Sequence, residues 1–146
     1  MNNLTSFYKL IKDFADNHNM VNEFLLVGSD KDLSSREFNY RTIIIIPSNS
    51  NVSRDLARPL YTLSFDCAIL DRINIDDDMS LIKSVEENIF VVGQLQDYLI
   101  QNSADCYIDE VDVDTIYEDD NNITTAYFNI TASFARKNYN VGIDNQ

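Results

Sequence analysis

"LYTLSFDCAILD", residues 60–71, alternates: Tyr61, Leu63, Phe65, Cys67 and Ile69 point one way, and Thr62, Ser64, Asp66 and Ala68 the other. Successive side chains of a β-strand leave opposite faces, so this pattern marks a half-buried antiparallel strand with one apolar face. Such a strand requires a layer to cover that face and leaves the other to water. The neighbouring segments supply the layer.

Before it, "NYRTIIIIPSNS", residues 39–50, holds four consecutive isoleucines. A run apolar on both sides cannot be sorted by alternation and predicts a strand covered twice, by a helix on one face and by something else, such as another subunit, on the other. Pro47 lacks an N–H, so ladder pairing is expected to end there and "SNSNVSRDLAR" to follow as a polar loop. Upstream, "MVNEFLLVG" reads as a strand ending at Gly28, followed by the polar connection "SDKDLSSRE".

Two helices frame these strands. Leu4, Phe7, Leu10 or Ile11, and Phe14 recur at three- and four-residue steps and predict an amphipathic helix, capped by Asn2 or Asn3 and ending near Asn17–Asn19. His18, the single histidine, falls at its C-terminal end, where a cap or dipole contact is the simplest role. The second helix is predicted over "SLIKSVEENIFVVGQLQDYLIQNS", with Ile82, Val85, Ile89, Val92 and Leu99 on its inward face and Asp76–Asp78 before its first turn. "ADCYIDEVDVDTIY" and "ITTAYFNITASFARK" then read as two strands flanking the turn "EDDNN", with Ala126, Phe128, Ile130, Ala132 and Phe134 on one face.

The predicted order is therefore α-β-β-β-α-β-β: an α+β fold with an antiparallel or mixed sheet of about five strands and two main helices packed on it. The 146 residues suffice for one core. Residues 1–137 form one expected domain and 138–146 a C-terminal arm that orders in an assembly.

Charge is the most pronounced feature of the composition. The formal net charge is -13, and between Ile73 and Ala135 the only base is Lys83. "DEVDVDTIYEDD", residues 109–120, gathers Asp109, Glu110, Asp112, Asp114, Glu118, Asp119 and Asp120. Nucleic-acid binders gain affinity from clustered bases, so this balance argues against ordinary DNA binding. A calcium loop needs a glycine at its turn, and a two-metal nuclease a nearby lysine; the stretch has neither. Its local role is to keep a β-prone edge solvated and away from wrong partners. Cys67 and Cys106 have no CxxC spacing and read as reduced, buried thiols. The sequence holds no GxSxG and no phosphate-cradling glycine run, so neither an enzyme nor a cofactor is expected. No apolar stretch of membrane-spanning length occurs, so no membrane contact is expected either.

The segments "FYKLIKDFADNH", "VNEFLLVGSDKD" with Gly28 and Asp30, "YRTIIIIP", "LYTLSFDCAILD", "VEENIF" through "LQDYL", and "AYFNITASF", in that order, resemble the tail-completion or tail-terminator-like neck proteins of tailed bacteriophages, including connector ring proteins of crAss-like phages. The resemblance covers nearly the whole chain and is one of element order and spacing. It implies a structural virion protein, made in the bacterial host cytoplasm, that forms a homo-oligomeric ring of six or twelve copies in the neck. Neighbouring portal, neck or tail proteins would flank the ring, and DNA would pass through it without specific binding. On that reading Asp109, Glu110, Asp112, Asp114, Glu118, Asp119 and Asp120 face the lumen or an adjoining ring, because a negative channel lets the duplex slide. Ile43, Ile44, Ile45 and Ile46, with Arg54 and Arg58 on the following loop, are the expected subunit interface. The alternative is an acidic protein that imitates DNA and occupies a host DNA-binding enzyme.

Overall fold

A computed structural model describes residues 3–28, 37–52, 60–74, 76–102, 104–118 and 121–135. Two helices pack on one face of a mixed six-stranded sheet, in the order α1 (Leu4–Asn17), β1 (Glu23–Leu26), β2 (Thr42–Val52), β3 (Leu60–Arg72), α2 (Asp78–Gln101), β4 (Cys106–Ile108), β5 (Asp112–Glu118) and β6 (Asn121–Ala135). The spatial order is β1-β2-β3-β6-β4, with β5 also pairing β6. Among the described residues only β1 and β2 run parallel, and the other strand pairs are antiparallel.

The helix termini follow local chemistry. Asn3 caps α1 by accepting the Ser6 N–H at 2.8 Å, and Asp77 caps α2 by accepting from the Met79 N–H at 3.0 Å. Phe7, Ile11 and Phe14 carry the buried stripe of α1 onto the sheet. There they meet Ile43 and Ile45 of β2, Phe65, Cys67 and Ile69 of β3, and Ala126, Phe128, Ile130, Ala132 and Phe134 of β6. The alternation expected of β3 and β6 is therefore the one that builds the core.

Ile43, Ile44 and Ile45 are all buried within the single chain and Ile46 is half-buried. Ile44 lies on the sheet face opposite its two neighbours, so both faces of this run are covered without a second subunit.

Four expectations need correction. Pro47 does not end β2: the register shifts between Pro47 and Asn49, and pairing resumes as far as Val52↔Tyr61. A bulge accommodates a residue that cannot donate, and the strand runs on. The last third holds three strands rather than two, because the chain leaves β6 after Ile108 and rejoins it at Asp112. The sheet accordingly has six strands, not five. Finally, α2 is rotated from the predicted face: Ser84, Asn88, Val91, Val92, Leu95 and Leu99 point inward, while Ile82 and Ile89 are 55% and 45% exposed.

The rotation of α2 has a polar cause. Arg41 is buried beneath the helix, its Nε donating to Asn88 Oδ1 at 2.8 Å and its Nη2 to Asp71 Oδ2 at 2.9 Å and Glu87 Oε1 at 3.2 Å. Ser84 Oγ donates to Asp71 Oδ2 at 2.6 Å and also meets Thr124 Oγ1, which accepts from Asn88 Nδ2 at 3.1 Å. Polar groups in an interior must be paired, and each member here satisfies another. The network ties α2 to β2, β3 and β6 at one end of the core.

Candidate interaction surfaces

The sheet face without helices is where the acidic residues gather. Asp66 on β3 lies opposite Asn129 on β6, and Asp112 on β5 opposite Tyr127. Asn129 organises this corner: its Nδ2 donates to Asp66 Oδ1 at 3.1 Å, and its carbonyl accepts the Asp109 N–H at 3.1 Å. Asp66, Asp109, Glu110 and Asp112, with Tyr127 and Asn129, line an open concavity of about 560 Å³. Asp114 follows on the same strand face, exposed, with its Oδ1 accepting the Thr115 N–H at 2.8 Å.

Of the acidic residues singled out in the sequence, Asp109, Glu110 and Asp112 thus converge, and Asp114 continues the row. Glu118 closes β5, while Asp119 and Asp120 lie outside the described residues, as do Arg54, Arg58 and the arm 138–146. Asp66 and Asn129 were missed because their meeting depends on the β3–β6 register. The signal available was the polar half of the "LYTLSFDCAILD" alternation, which put Asp66 on this face but not beside Asp112. Among the described residues no group of three or more His, Cys, Asp or Glu is arranged to hold a metal ion. No helix among them is long and apolar enough to cross a membrane.

A second surface lies on the helix side, at the β5 edge. Leu81, Ile82, Val85, Glu86 and Ile89 of α2 and Thr115 of β5 form an apolar groove of about 560 Å³. Phe90 on α2 and Val113 on β5 are exposed as well. A third lies at the opposite, β1 edge. Leu4, Tyr8, Phe24, Leu26 and Pro47 surround a small apolar cleft of about 50 Å³, with the Tyr8 and Phe24 rings 5.7 Å apart. Exposed Lys9 and Lys12 sit on the same helix, Lys12 bonded to Asp16 at 2.8 Å.

His18 ends α1 as its C-cap, its N–H donating to Ala15 O at 3.4 Å. Its Nδ1 accepts from the Met20 N–H at 3.1 Å, which leaves Nε2 as the protonated nitrogen that donates to Gln94 Oε1 on α2. The histidine joins the two helices.

Both cysteines are free thiols. Burial, reinforced by Asp66, pushes the Cys67 thiol well up. Burial, reinforced by Asp105, pushes Cys106 up to about 11. The thiolate is the reactive form, so at pH 8 a disulfide reagent should modify Cys106 about a hundredfold more slowly than a free cysteine, accelerating about tenfold per pH unit towards pH 10. Cys67 should react only after unfolding. Stopped-flow labelling with and without denaturant checks both, and a Cys67 as fast as Cys106 would contradict the burial argument.

The sequence matches no protein-family model and no curated protein.

Proposed function

We propose that the chain is a structural virion protein that forms a homo-oligomeric ring of six or twelve copies in the neck or tail connector of a tailed bacteriophage. The ring joins the portal side of the capsid to the tail and gives exiting DNA an acidic passage. The observation that carries the reading is the helix-free sheet face, where Asp66, Asp109, Glu110 and Asp112 converge from separate elements. Residues 84–135 place no lysine or arginine among them. A surface of this sign repels a phosphate backbone and suits contact with DNA that must not stick.

Native mass spectrometry over a range of concentration and salt tests the assembly. A hexamer or dodecamer, favoured as salt screens the excess charge, is the expected result. A dimer that persists under all conditions overturns the ring and favours the alternative, an acidic protein that imitates DNA towards a host enzyme. Changing Asp109, Glu110, Asp112 and Asp114 together to lysine should slow DNA ejection from assembled particles several-fold. Unchanged ejection from intact particles would remove these residues from the lumen.

A further inference from the structure

We draw no further inference here: the strongest candidate, the outer face of α2 where Ile82, Ile89, Phe90 and Ile100 lie exposed around Gly93, is an unpartnered apolar surface, and nothing in the structure shows what covers it.

Discussion

Arg41→Ala is expected to destabilise the fold by about 3 kcal/mol, because removing one partner of a buried ion pair strands the others. Arg41 is only 6% exposed and serves three acceptors at once, Asn88, Asp71 and Glu87. Without it, Asp71 retains the Ser84 hydroxyl but loses its countercharge beneath α2. Arg41→Lys should recover only part of the loss, since a single ammonium cannot reproduce the fork of the guanidinium. Equilibrium urea unfolding measures both. A cost below about 1 kcal/mol would mean that Asp71 and Glu87 find water as readily as they find Arg41, as in an exposed pair.

Phe134→Ala should cost about 3–5 kcal/mol, the range for emptying a fully buried aromatic site. Phe134 is 1% exposed, with its ring 5.7 Å from Phe7 in an edge contact and 5.1 Å from Tyr61 in a stacked one. It thereby holds α1 to both central strands, and each aromatic pair adds to the area buried. Phe90→Ala is the contrasting change: Phe90 is 57% exposed on α2, and its loss should move stability by no more than about 0.5 kcal/mol in the monomer. Thermal and urea unfolding of the two variants side by side give the comparison. Similar losses from both would contradict the burial that separates them.

These two residues also mark what the sequence discloses and what it does not. Phe134 was legible, because β6 alternates from Ala126 to Phe134 and one face of a strand needs only a period of two to be found. The start of α1 was legible to within one residue, Asn2 or Asn3, since capping is settled locally, and the acidic run Asp76–Asp78 marked the start of α2 without singling out Asp77 as its cap. Arg41 was not legible. It lies beside four isoleucines, and its acceptors arrive from β3 and α2, so nothing near it in the chain signals that it is inside. The same network defeated the reading of α2, where hydropathy put Ile82 and Ile89 inward. In the folded chain Ser84 and Asn88 take the inner positions because Thr124, Asp71 and Arg41 await them. The acidic stretch was visible as composition, but its convergence with Asp66 needed the cross-strand register, which the sequence carries only through long-range pairing.

The pairing of β3 with β6 also sets an order of events for a growing chain. The partners closest in sequence, Arg72 and Ile123, are separated by α2, β4 and β5, and the most distant, Leu60, waits for Ala135. Loops of this length slow folding, because their closure entropy is spent before any contact rewards it. Both helices and half of the sheet can leave the ribosome while the inner edge of β3 and the underside of α2 still lack their common partner. For that interval nascent copies present matching unpaired strands to one another, a risk of cross-pairing that ends only when β6 is inserted between β3 and β5.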